Sequence, residues 1–269
     1  MKKLLLLCSV LSLSVLWPGD AIAQLKIGGK KLNTAKLLDA GKDVAKAVTL
    51  SDSDIAQLSR EAVAWMDANN PVADETTEYG ARLKRLTEGI TEVDGLPLNF
   101  KVYKVADVNA FACGDGSIRV FSALMDLMDD DELMAIIGHE IGHVVHADTK
   151  HAMKNAYLAS AARNAAGAAE GSRLAKLSGS QLGELVTAFT DAQFAQKPED
   201  EADEYGFEFS VKHGFSPYAM GNSLNKLVEL SKGAKASTVQ KMFSSHPDSE
   251  KRAARMKEKA DAHAAAQQQ

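Results

Sequence analysis

Apolar residues recur at helical spacing in SDSDIAQLSREAVAWMDANN, at Ile55, Leu58, Val63 and Met66. A Ser/Asp cluster caps the front of this stretch and Asn70-Pro71 stops it, so the pattern predicts a helix. A second helix is predicted in DETTEYGARLKRLTEGI, where Tyr79, Leu83 and Leu86 can share a face. The period then changes. Leu98, Phe100 and Val102 alternate with Asn99 and Lys101, as on a strand. VNAFACGDGSIRVF reads as two short strands around a Gly114-Asp115-Gly116 turn. From Ser122 onward the helical period returns almost without a break. Asp129, Asp130 and Asp131 offer N-caps to a helix whose Leu133, Ile136, Ile137, Ile141 and Val144 can bury one face. Further helices are predicted at 178–195, 198–213, 216–232 and 248–264. The fold class that follows is α+β and mostly helical, with a small sheet packed on the Asp-capped helix.

The ends of the chain are different in kind. MKKLLLLCSVLSLSVLWPGDAIAQ has a basic start, an apolar run from Leu4 to Trp17, a Pro18-Gly19 break and small residues at Ala21-Ile22-Ala23. The run is about 14 residues, short of the ~20 needed to span a bilayer. The expectation is a cleaved secretory signal over residues 1–23, hence a periplasmic or secreted protein. Residues 24–50 read as a lead-in with one amphipathic helix, 51–256 as the main domain and 257–269 as a disordered tail. Small residues from Ala159 to Ser172 suggest a loose helix end or a loop. There is no internal repeat. A formal net charge of -5 gives no basic field, which excludes nucleic acid as a partner. Cys8 lies inside the apolar run rather than after it, so it makes no lipobox. Cys113 is then left alone, without an internal disulfide, and is expected as a small half-buried residue.

The chemistry concentrates in GHEIGHVVHADTKH, residues 138–151, which holds four of the seven histidines. Positions i and i+4 share a helix face, so His139 and His143 can aim two imidazoles at one metal ion. Glu140 is rotated by about 100° from His139, beside the ion rather than on it. A general base is wanted there, to take a proton from water as it attacks a carbonyl. His146 and His151 read as surface or supporting residues, since no glycine turn precedes His146 to bring it back. A third ligand must come from elsewhere. QKPEDEADEYGFEF offers Glu199 and Asp203 at i, i+4, with Asp203 placed to fix an imidazole tautomer. On spacing alone Glu201 is nearly as good as Glu199. Two histidines, a carboxylate and a water make an open site of the catalytic kind, with one Zn2+ per chain.

HEIGH followed by EDEAD resembles the gluzincin metallopeptidase family that contains the CAAX prenyl proteases and the bacterial HtpX, BepA and LoiP enzymes. VNAFACGDGSIRVFSALMD resembles the family's strand pair and the helix that follows it. SSHPDSEKRAARM resembles its H-P-x-x-x-x-R element. The likeness, closest to the periplasmic LoiP type, runs from about residue 50 to 256. It implies a zincin-like metalloprotease domain, picks Glu199 over Glu201 as the zinc ligand, and puts His246 and Arg252 near the active site. His246 then has two open roles, an oxyanion donor or a fourth ligand that keeps the enzyme latent; Arg252 supports either. Asn109, Ala110 and Phe111 are expected to bind an extended peptide along a sheet edge, though periodicity does not separate such an edge from an ordinary core strand. Polypeptides, in particular unfolded envelope proteins, are the implied substrates. Peripheral membrane association stays open, and the oligomeric state is unknown. Two other readings remain: a zinc-stabilised, chaperone-like binding protein with latent or no activity, and a metallo-hydrolase acting on something other than peptides. Glu140 weighs against the binding protein, because a structural zinc site needs no base.

Overall fold

The computed structural model describes residues 50–164, 177–192, 194–232, 240, 242, 244–247 and 249–268, with 26–27 and 30–31. The expected signal segment, the lead-in helix and the small-residue stretch beyond 164 lie outside these residues. Lys26–Ile27 (β1) and Lys30–Lys31 (β2) form a short antiparallel pair. Then follow α1 (Asp52–Asn69), β3 (Val72–Ala73), α2 (Glu78–Leu86), β4 (Glu92–Val93), β5 (Leu96–Pro97), β6 (Asn99–Tyr103), β7 (Ala110–Ala112) and β8 (Ser117–Phe121). The rest is helical: α3 (Ser122–Leu127), α4 (Asp130–Val145), α5 (Asp148–Asn164), α6 (Gly179–Thr190), α7 (Gln196–Lys212), α8 (Ala219–Lys232) and α9 (Ser249–Ala266). None of the described helices is long and apolar enough to cross a membrane.

Local chemistry sets the ends of the helices that matter. Ser51 and Asp54 form a capping box at the start of α1, and Asn70 turns extended at its end, ahead of Pro71. Asp129 and Glu132 do the same for α4. The helix expected from Pro198 begins two residues earlier, at Gln196, with Pro198 inside the first turn, where its missing N–H costs nothing.

The four-stranded sheet has the order β3-β6-β8-β7. β7 and β8 form the expected hairpin, with Gly116 N–H bonded to Cys113 O at 3.0 Å. β6 pairs β8 in parallel, which the alternation could not reveal. One face of the sheet, with Val102, Ala110, Ala112, Ile118 and Val120, packs on Leu133, Met134, Ile137 and Ile141 of α4. The other face carries Tyr103 and Phe111 into a second core with α1, α5 and α6. Cys113 belongs to that core and is fully buried rather than half-buried. Burial, with nearby carboxylates adding to it, pushes its thiol pKa well up, so it is no ready nucleophile.

The tail expected to be disordered from residue 257 is instead helical through Ala266. The reason is packing: Ala253, Met256 and Ala260 bury against Ala219, Met220 and Leu224 of α8. Helices α4 and α7 cross at small residues. A Cβ at Gly142 would lie 3.0 Å from the Ala202 Cα, and one at Gly206 would lie 2.9 Å from the Ala135 carbonyl and 3.0 Å from the His139 nitrogen. Backbone cannot retreat as a side-chain tip can. Gly206→Ala should therefore push α7 off α4, cost ~1–3 kcal/mol in urea unfolding, and weaken metal binding by displacing Glu199. Unchanged stability and unchanged metal affinity together would contradict this view of the crossing.

Candidate metal centre

The α4–α7 crossing brings three predicted side chains to one place. His139, His143 and Glu199 are all buried, and Glu199 has no exposed surface at all. Glu201, its rival on spacing, is turned to the solvent side and pairs with Lys197 at 2.8 Å. Each imidazole is held from behind. His139 Nδ1 lies 3.0 Å from Asp203 Oδ1, and His143 Nδ1 lies 2.9 Å from Asp148 Oδ2. A carboxylate accepts, so each Nδ1 carries the proton and each Nε2 is left with a bare lone pair.

Those two Nε2 atoms stand 3.1 Å apart, and Glu199 Oε1 is 3.3 Å from the His143 one. Glu199 Oε2 is 3.8 Å from His139 Nε2. Lone pairs this close repel one another unless a proton or a metal ion sits among them. A tetrahedral ion with bonds of about 2.0–2.1 Å sets its ligands about 3.3 Å apart, so the donor set fits a metal. The same crowding shows in the titration. Burial disfavours a charged His143, yet hydrogen bonds to Asp148 and Glu199 push its pKa up to about 9, while burial holds His139 down.

Glu140 is buried beside the group, and its Oε1 has no hydrogen-bond partner. Among the described residues only His246 Nε2, at 3.7 Å, pairs with it. A buried carboxylate oxygen left open is costly unless something polar reaches it. His246 itself joins the donors: its Nδ1 is 2.9 Å from Glu199 Oε1 and 3.3 Å from His139 Nε2. His139, His143, Glu199 and His246 together offer four ligand atoms within 4.8 Å of one another.

Arg252 closes the back of the site. Its guanidinium forms an ion pair with Glu199 Oε2 and donates to both oxygens of Asp203, at 2.6 and 2.8 Å. Arg255 adds a bond of 3.1 Å to Asp203. Burial would raise the Asp203 pKa, but Arg252 and His139 hold it to about 2. Burial opposes Glu199 too, and His246 and His143 still hold it far below the usual carboxylate range.

His146 and His151 stay outside the group. His146 is the C-cap of α4, and the turn that follows is made by Ala147, at φ 63. That left-handed turn comes one residue too late for His146, but it swings Asp148 back under His143. Asp148 was not read from the sequence; a short polar residue just past the metal helix was its only signal. Asn109 precedes β7, the edge strand, and its Oδ1 is buried without a partner. Ala110 faces the α4 core. The Phe111 ring packs against Tyr103, Phe121 and Phe189, so its side chain serves the second core and only the backbone of this strand is left to meet a ligand.

Residues 79–260 match the family model described as Peptidase family M48. The chain belongs to peptidase family M48. It is 37% identical to Metalloprotease LoiP of Escherichia coli K12 over 243 residues, covering 90% of this chain and 94% of that one. It is 36% identical to Metalloprotease YcaL of the same organism, covering 85% and 88%. A third relative, the Beta-barrel assembly-enhancing protease of Escherichia coli K12, is 32% identical over 49% of this chain and 28% of its own length. This M48 chain is a metalloprotease, and the donor group described above is where its residues can hold the metal.

Proposed function

We propose that this M48 chain is a zinc endopeptidase that cleaves unfolded or misfolded polypeptides of the cell envelope from the periplasmic or extracellular side. One observation carries the reading: an unpartnered, buried carboxylate oxygen of Glu140 stands beside a group of imidazole and carboxylate donors whose ligand atoms lie within 4.8 Å of one another. His139, His143 and Glu199 hold one zinc per chain. Zinc bound there supplies a Lewis acid and lowers the pKa of water towards neutrality. Glu140 takes the proton from the attacking water and hands it to the leaving amine. Asp203 and Asp148 keep the two imidazole protons on Nδ1, and Arg252 holds Glu199 in place.

The substrate class follows from β7. Among the described residues it pairs only with β8, leaving one edge for an extended chain to add as a strand along Asn109 to Phe111. The basic start, apolar run and Ala21-Ile22-Ala23 support export, and a relative named for β-barrel assembly supports an envelope setting.

Casein turnover tests the reading. It should be abolished by a chelator and restored by zinc; a fully metallated protein without turnover would favour the holding function instead. Of the two roles for His246, its place in the donor group, with Nδ1 3.3 Å from His139 Nε2, favours the latch. His246→Ala should then raise basal hydrolysis severalfold, whereas loss of an oxyanion donor would lower kcat about 10²–10³-fold at unchanged zinc content.

A further inference from the structure

Phe194 occupies a junction that no sequence motif marks. It directly precedes Ala195, the N-cap of α7, and lies five positions before Glu199. In a hydrophobic staple these two positions carry apolar side chains that touch. Here the second is Glu199, and the Phe194 ring packs instead on the imidazoles that surround that carboxylate. It stacks on His143 with ring centroids 4.2 Å apart and planes at 16°. It meets His246 at 5.6 Å and 33°. Its backbone N–H donates to the carbonyl of Ser245, the residue before His246, at 3.1 Å. Arg252 also reaches the Pro247 carbonyl at 3.3 Å and Ser249 the His246 carbonyl at 3.4 Å, and within the segment's own turn the His246 N–H donates to the Met242 carbonyl at 2.9 Å. Phe194 is half-buried, while His143 beneath it is not exposed at all.

We propose that Phe194 is a positioning residue for the metal centre: it seats the His143 ring and clamps the His246 segment, so that His246 leaves the donor group only when Phe194 lifts. The inference deepens the latch reading of His246 and rests on it for its effect on activity. The clamp itself rests on the ring contacts and the Phe194–Ser245 bond. Two segments far apart in sequence, one leading into Glu199 and one ending at His246, then move as one. The backbone bond holds modestly and stays in any side-chain variant, and the packed ring slows opening by about a further tenfold.

Hydrogen–deuterium exchange on the full chain, metal-free and zinc-loaded, tests this without substrate. Wild type, Phe194→Ala, Phe194→Leu and Phe194→Tyr are compared in the peptide carrying Ser245 and His246. Exchange there should be about tenfold faster in the Ala variant, partly faster in the Leu variant, and as slow as wild type in the Tyr variant, which keeps the ring. If the Ala variant does not fold, the Leu variant carries the comparison. Wild-type protection in both the Ala and Leu variants overturns the proposal; so does equal loss in the Tyr variant, since the ring would then not be what holds the segment. Casein hydrolysis by His246→Ala separates the two ideas. If it is unchanged the latch fails, and the exchange pattern still decides the clamp.

Discussion

Glu140→Gln should keep about one zinc per chain and lose peptide hydrolysis by about 10²–10⁴-fold. Glutamine has the shape of glutamate and cannot take the proton. The fold gives no reason for other damage. Glu140 is buried with one oxygen unpartnered, and it makes no hydrogen bond or close ion pair that a neutral amide would break. Removing a charge from that place should leave stability unchanged or slightly raised. Zinc content and kcat/KM on an unstructured peptide, measured on one preparation, read both halves. Turnover retained at full metal load would sink the proposed proton transfer, and loss of zinc with loss of turnover would leave it without support.

The second large effect is expected at Arg252. Its side chain is 3% exposed and serves Glu199 and Asp203, neither of which is exposed. Arg252→Leu removes the buried counter-charge that two buried carboxylates share, a class of change that costs about 3–5 kcal/mol. Urea unfolding of the metal-free protein measures it. The pH dependence has a definite sign. Asp203 is depressed from 3.8 to about 2 in the folded protein, with Arg252 bonds a main cause, and Glu199 is depressed as well. Stability from such groups is complete above the unfolded pKa and is lost as pH falls through the folded one. The gap between wild type and Arg252→Leu should therefore be widest above about pH 4 and narrow towards pH 2. A gap that stays constant across that range would mean Arg252 acts through packing rather than charge.

Much of this site could be read along the chain because it is local. Two histidines and a glutamate on one capped helix need only the helical period. The i, i+4 pair of Glu199 and Asp203 was likewise legible, but the choice of Glu199 over Glu201 was not. That choice depends on which face of α7 meets α4. The crossing residues favour Glu199: Ala202 and Gly206 lie on the same side as Glu199 and Asp203, against Gly142 and the Ala135 carbonyl. A stripe of small residues running with the acidic pair was the available signal. Asp148 was missed because it returns to His143 through a left-handed turn at an alanine, where glycine is the usual marker. Phe194 and Arg255 were missed because their roles arise from contacts between α7, α9 and the segment before His246. Helix α9 was legible over 248–264, but the chain from 257 on was also read as a disordered tail, and the small residues Ala253 and Ala260 are what let the helix lie close to α8. The parallel pairing of β6 with β8 was hidden because alternation reports which face is buried and says nothing of strand direction.

Metal content across a set of single variants tests the central claim most directly. Purified protein should carry about one zinc per chain, and so should His146→Ala. His139→Ala, His143→Ala and Glu199→Ala should each lose it, since each removes one of the three proposed ligand side chains from a group that could hold a single ion. Zinc stripped by His146→Ala but retained by Glu199→Ala would contradict the ligand assignment, and with it the geometry from which the proposed chemistry is derived.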